Sequence, residues 1–285
     1  MPGKGCLLAL AAVTGSLMLT AAPAAASVTI GQAAANTSTC IANADWLQPT
    51  VTGGNTYVVP GTGTITSWAV DSTGSAGEQL TMKMYRQAGN STTYQVVGHA
   101  GPQPLASAGP AGNTFPASIR VKPGDVLGFH TVSGSVPCAF DAPGEQWLIA
   151  PSSDLADGAQ GPFILVTEDN RLNIQANFAP DNTFSLGGIT RNKKKGTATI
   201  TVTVPNPGEL TGSGKGIKVT SAAGAVTSKT VTAPGEVKLS IRPKGEKKRK
   251  LNETGKVKLN VAVTYTPTGG DPSTQSVKVK LKKKL

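Results

Sequence analysis

Near the end of this chain, apolar and polar residues alternate so strictly that few folds are open to it. Val257, Leu259, Val261, Val263 and Tyr265 fall on one side of a run whose other side carries Lys256, Lys258, Asn260 and Thr264. A period of two belongs to an extended strand with one buried face, whereas a helical stripe repeats every 3.6 residues or so. The pattern recurs. Ala198, Ile200, Val202 and Val204 oppose Thr199, Thr201 and Thr203, and Val237, Leu239 and Ile241 oppose Lys238, Ser240 and Arg242. Val277, Val279 and Leu281 likewise oppose Lys278, Lys280 and Lys282. Such regularity predicts an antiparallel sheet packed on one side and wet on the other.

With weaker runs at 184–189, 216–220 and 226–231, residues 183–285 offer seven strands. That count, in roughly 100 residues, is expected of a seven-stranded Ig-like β-sandwich. Residues 27–182 are also strand-like, at 55–59, 63–70, 79–86, 92–99, 118–121, 126–131, 146–149, 163–167 and 172–178. Short strands at this spacing predict a sandwich or barrel. Long Gly/Pro-containing loops at 101–116 and 151–162 are of the kind that serve function or move. The fold class expected is all-β, with helices few and short.

Charge divides the chain at the same place. Residues 27–182 hold five Lys or Arg against eleven Asp or Glu, a net −6, whereas residues 183–285 hold 21 against five, a net +16. The basic residues of the second half gather in three clusters. These are Arg191, Lys193, Lys194 and Lys195, then Lys244, Lys247, Lys248, Arg249 and Lys250, and finally Lys282, Lys283 and Lys284. On the seven-strand reading they precede strand two, follow strand five and end strand seven. Those positions share one pole of an antiparallel sandwich, so the clusters are expected to converge there. Such a patch attracts anionic envelope polymers, lipid headgroups or extracellular DNA, more weakly as salt rises. The alternatives are solubility and protection of sheet edges, and docking of the first cluster, beside the junction, onto the acidic first half. Specific nucleic-acid recognition is not expected, because Phe184 and Tyr265 are the only aromatics of this half and make no stacking platform.

The first residues read as an export signal: Lys4, an apolar run, then Ala21-Ala22-Pro23-Ala24-Ala25-Ala26. Cleavage after Ala26 is expected, with a retained membrane anchor as the alternative. Cleavage leaves Cys40 and Cys138, which in an oxidising compartment predict a disulfide, with two free buried thiols as the alternative. Neither cysteine has a neighbouring ligand at metal-binding spacing. No metal, cofactor or transmembrane span is expected of the mature chain.

Nothing in the sequence assembles a catalytic set. His99 and His130 stand at strand ends, where histidines are mostly structural or solvated. No Gly-x-Ser-x-Gly elbow occurs, and the acidic residues are scattered. A catalytic or metal role for the histidines requires that they meet in space with an acid or a thiol.

Two resemblances add to this reading. The tract Arg120-Val121-Lys122-Pro123-Gly124-Asp125-Val126-Leu127-Gly128-Phe129, with Cys138 and a closing strand at 171–180, resembles secreted bacterial jelly-roll sandwiches of the carbohydrate-binding-module type. That resemblance implies sugar stacking on exposed aromatic faces, and Trp46, Trp68 and Trp147 are the candidates. Trp46, read as lying in a loop after Cys40, is expected to be the most exposed. The Asp-rich calcium repeat of some such domains is absent, because Pro180-Asp181 runs straight into Asn182-Thr183-Phe184. The second half, with Arg191-Asn192-Lys193-Lys194-Lys195-Gly196, Val204-Pro205-Asn206-Pro207-Gly208, its basic segment 244–250 and Thr264-Tyr265-Thr266-Pro267-Thr268-Gly269-Gly270, resembles a lysine-rich Ig-like module appended to exported proteins of soil bacteria. It implies architecture and no defined activity.

The expectation is therefore a secreted or surface-associated binding or adhesion protein, not an enzyme. Carbohydrate or an anionic cell-envelope polymer is the expected partner. Its rivals are a polysaccharide-acting hydrolase with its site in the loops of the first half, and a purely structural surface protein.

Overall fold

The computed structural model describes residues 26–35, 37–89, 92–133, 136–221 and 228–285. The expected export segment, residues 1–26, lies outside the described residues but for Ala26. Among the described residues no helix is long and apolar enough to cross a membrane.

The fold is all-β. Its first strands are β1 (Val28–Gln32), β2 (Ser38–Cys40), β3 (Ala44–Thr50), β4 (Gly63–Ala69), β5 (Gln79–Gln87), β6 (Thr93–Pro104) and β7 (Thr114–Val121). There follow β8 (Val126–Ser133), β9 (Val136–Asp141), β10 (Gln146–Pro151), β11 (Gln160–Pro162), β12 (Ile164–Thr167), β13 (Asn170–Leu172) and β14 (Ile174–Pro180). Hydrogen bonds order them into three sheets: β1-β14-β4-β7, β11-β6-β5-β8-β3-β10-β12, and β13-β9-β2.

β5 shows how the large sheet is built. Leu80, Met82 and Met84 point into one core with Ile65, Phe129 and Phe178. Thr81, Lys83 and Tyr85, on the opposite face, are buried as well. A central strand covered on both sides must bury its polar side chains with partners. Here the cover is the 151–162 loop, whose Leu155 packs with Leu47, Tyr85, Tyr94 and Phe163.

Several expectations are corrected. Residues 55–59 form no strand beyond a single bridge between Val58 and Val126. Trp46 lies inside β3 rather than in a loop. The disulfide expected between Cys40 and Cys138 is present, joining residues 98 apart in sequence and tying β2 to β9.

The second half contains β15 (Ser185–Asn192), β16 (Thr197–Val204), β17 (Gly208–Ser213), β18 (Ile217–Ser221) and β19 (Ser228–Val231). After β20 (Gly235–Pro243) come the helix α1 (Gly245–Thr254), β21 (Lys256–Pro267) and β22 (Ser273–Lys282). Two four-stranded sheets result, β15-β16-β20-β18 and β19-β17-β21-β22. Their inward residues, including Ile200, Val202, Leu239, Ile241, Leu259 and Val261, make a core of their own. The basic segment 244–250, read as a connection between strands, opens a helix instead. Of that helix Leu251 alone is buried, and a left-handed Gly255 ends it by donating its N–H to Leu251 O at 2.9 Å.

Asn206 joins the two halves. Its Nδ2 donates to Thr62 O and Asp181 O, both at 2.9 Å, while Oδ1 accepts from Thr62 N at 2.7 Å. Tyr265 Oη donates to Asn206 O at 2.8 Å, and burial pushes the Tyr265 phenol up to about 12.

Candidate functional site

The site begins with a tight turn. β15 and β16 are joined at residues 193–196, where Asn192 Oδ1 accepts from Lys195 N at 2.9 Å and Asn192 O accepts from Gly196 N at 2.8 Å. Gly196 has φ +65°, and a Cβ there would stand 2.7 Å from Leu251 Cδ2. Glycine thus lets the turn rest directly on α1.

The chain end closes on the same point. Lys283 N donates to Gly255 O and Lys284 N to Lys193 O, each at 2.9 Å, and Lys283 Nζ reaches Asn252 Oδ1 at 2.7 Å. Lys244 N donates to Gly216 O at 2.7 Å. The three basic clusters therefore meet at one pole, around α1.

They meet although the strand count differs from expectation. β17 is an addition to the expected strands, because Gly208, Glu209, Leu210, Thr211, Gly212 and Ser213 show no apolar alternation. β18 and β19, counted as two strands, run in the same direction and pair with different sheets. Together they make one crossing of the molecule. The added strand and the merged one cancel, so the parity that brings the clusters together is kept.

Two grooves flank the helix. One, of about 380 Å³, is lined by Lys195, Thr197, Arg242, Lys248, Asn252 and Lys283 among others. The other, of about 360 Å³, is lined by Lys247, Lys250, Lys256, Val257, Lys258 and Lys280. Arg242, Lys256, Lys258 and Lys280 lay outside the three clusters in sequence. In sequence they are simply the polar members of alternating strands; the register is what brings them to the pole. Lys256 stands opposite Lys282 and Lys258 opposite Lys280 on β21 and β22. Arg191 Nε, on the side of β15, donates to Lys280 O at 2.8 Å. Among the described residues, the one ion pair at this pole is Arg249 with Glu253, 3.7 Å apart and exposed.

The aromatic candidates lie elsewhere and are corrected. Trp46, Trp68 and Trp147 are at most 5% exposed. Trp46 packs on Trp147 with ring centroids 4.9 Å apart and donates Nε1–H to Thr131 Oγ1 at 3.2 Å, while Trp68 packs on Phe115 at 4.8 Å. Rings enclosed in this way have no face for a sugar; each fills the space between sheets. The histidines do meet acids: His99 Nδ1 lies 2.8 Å from Asp157 Oδ1, and His130 Nδ1 lies 3.2 Å from Asp45 Oδ1. No protein-family model, curated protein or solved structure matches the chain.

Proposed function

We propose that the chain is an exported, non-catalytic binding protein of two β-sandwich domains, residues 27–182 and 183–285, whose second domain holds a linear anionic polymer of the cell envelope on its basic pole. The facing lysines carry this reading. Like charges directly opposite on neighbouring strands destabilise a sheet. Lysines placed singly on the edge strand β22 would serve to block sheet-to-sheet association. Matching them with Lys256 and Lys258 on the interior strand β21 adds repulsion without adding protection. A polyanion lying along this face would relieve that repulsion, and the grooves beside α1 extend its path.

The strand pairing supports an Ig-like architecture for this domain. With β18 and β19 taken as one crossing, the first, second and fifth crossings share one sheet and the third, sixth and seventh the other. The facing antiparallel sheets of the first domain support a jelly-roll-like sandwich, and the disulfide supports export.

Chromatography of the full mature chain on immobilised linear polyphosphate tests the reading. Retention at about 50 mM salt that is lost by about 500 mM is the expected result. Flow-through at low salt would overturn it.

A further inference from the structure

A second site lies in the first half, on the face of the large sheet covered by the 151–162 loop, and this inference does not rest on the proposed function. Asp45 on β3, His130 on β8 and Asp154 in the loop each bring a ligand atom within 4.8 Å of the others. Asp45 and His130 are buried, while the side chain of Asp154 is 63% exposed and opens the cluster to solvent.

The acceptors already converge on a cation. Lys83 Nζ donates to Asp45 Oδ1 at 2.8 Å, to Asp154 Oδ1 at 2.7 Å and to Leu155 O at 2.8 Å. Leu155 N donates to Asp45 Oδ2 at 2.9 Å. Burial works against the charge on Asp154, but the hydrogen bond and charge of Lys83, with His130 and His99 nearby, hold its carboxyl below the usual range.

The imidazole of His130 stands beside both carboxylates, with its Nε2 3.8 Å from Asp154 Oδ2. The ring is buried, and its Nδ1 has no hydrogen-bond partner although it lies 3.2 Å from Asp45 Oδ1. A buried nitrogen left idle 3.2 Å from a carboxylate is a costly arrangement for a site that holds only an ammonium. Nor is that separation arbitrary. Bonds of about 2.0 Å to a tetrahedral zinc ion place its ligand atoms about 3.3 Å apart. One imidazole and two carboxylates are a donor set that suits zinc and leaves a position for water.

We propose that Asp45, His130 and Asp154 form a divalent transition-metal site, of zinc type, in which the metal displaces the Lys83 ammonium. Loading turns Lys83 out past Asp154, on the open side. The bound ion then links β3, β8 and the covering loop, so that it clasps the loop to the sheet.

Calorimetry of the untagged, metal-free full chain with zinc chloride tests this. The expected result is one site per chain. His130→Ala should weaken it about tenfold or more, and Lys83→Met should tighten it about tenfold by removing the competing cation. The chain has two histidines, so His99→Ala serves as the control and should leave affinity within about twofold. Zinc should also slow proteolysis within residues 151–162 of the wild type and not of His130→Ala. If Lys83→Met fails to fold, the two histidine variants still decide the matter. No heat of binding at about 1 mM zinc, equal affinity in His130→Ala, or equal losses in both histidine variants would overturn the proposal.

Discussion

Lys284 donates its backbone N–H to the carbonyl of Lys193 at 2.9 Å, tying the chain's last basic cluster to its first. Since Gly196 rests on Leu251 beneath that contact, the turn, the helix and the end of β22 form one packed unit. Cations held by backbone contacts lose less entropy when a ligand orders them than cations on loose tails.

Leu251 is the link between that unit and the core. Leu251→Ala should cost about 2–4 kcal/mol in urea unfolding, the usual range for emptying a buried leucine site. Polyphosphate binding should weaken with it, because the lysines of α1 lose their seat. Full-strength binding by a destabilised Leu251→Ala would show that helix placement is irrelevant.

Repulsion between facing lysines has a consequence in the ligand-free protein. Lys258→Gln relieves the contact with Lys280 and should raise Tm by about 1–4 °C at low salt, with the gain fading above about 0.5 M salt. Scanning calorimetry at two ionic strengths measures this. A fall in Tm at low salt would mean that the pair is not repulsive.

Asn206 uses both ends of its amide between the halves. Asn206→Asp keeps the acceptor for Thr62 N, loses both donors and sets a charge against the carbonyls of Thr62 and Asp181. It should therefore destabilise more than Asn206→Ala, which should itself cost about 1–3 kcal/mol. The order of the two Tm values decides the point.

Glu145 is buried beside Arg171. Burial raises its pKa, but hydrogen bonds from Arg171 and from the backbone and hydroxyl of Thr52 outweigh that and bring it below the ordinary value. A carboxyl lowered by folding contributes stability that is complete above its unfolded pKa of about 4.3 and is lost as pH falls through the folded value. Glu145→Gln should flatten the stability curve below about pH 4.5. At pH 7 it should cost about 3–5 kcal/mol by leaving the Arg171 charge buried without its partner. Unfolding curves from pH 2 to 7 test both statements.

The second half was legible because its strands obey the simplest rule: Val257 to Tyr265 alternate, and the structure buries each apolar member. β17 was not legible, since glycine at 208 admits the backbone of β21, glycine at 212 admits the side chain of Val219, and Leu210 is left as its one buried apolar side chain. In the first half, β3 was hidden by Pro49 and by an aspartate in its interior. Asp45 is buried because Lys83 and Leu155 N satisfy it, and those partners lie 38 and 110 residues away. A sequence shows a buried charge only as a charge. The tryptophans reversed in the same manner, because exposure depends on what covers a strand, which here is a second sheet.

The basic pole is tested most directly by moving the charge loss. Lys256→Gln, Lys258→Gln and Lys280→Gln in one chain remove the same net charge as Lys122→Gln, Lys229→Gln and Lys238→Gln in another. Affinity for linear polyphosphate, measured across salt concentrations, should fall about tenfold or more in the first, with the log–log salt slope reduced by about two. In the second it should change less than about twofold. Equal losses in the two variants would mean that the lysines act only through net charge, and would contradict a site at this pole.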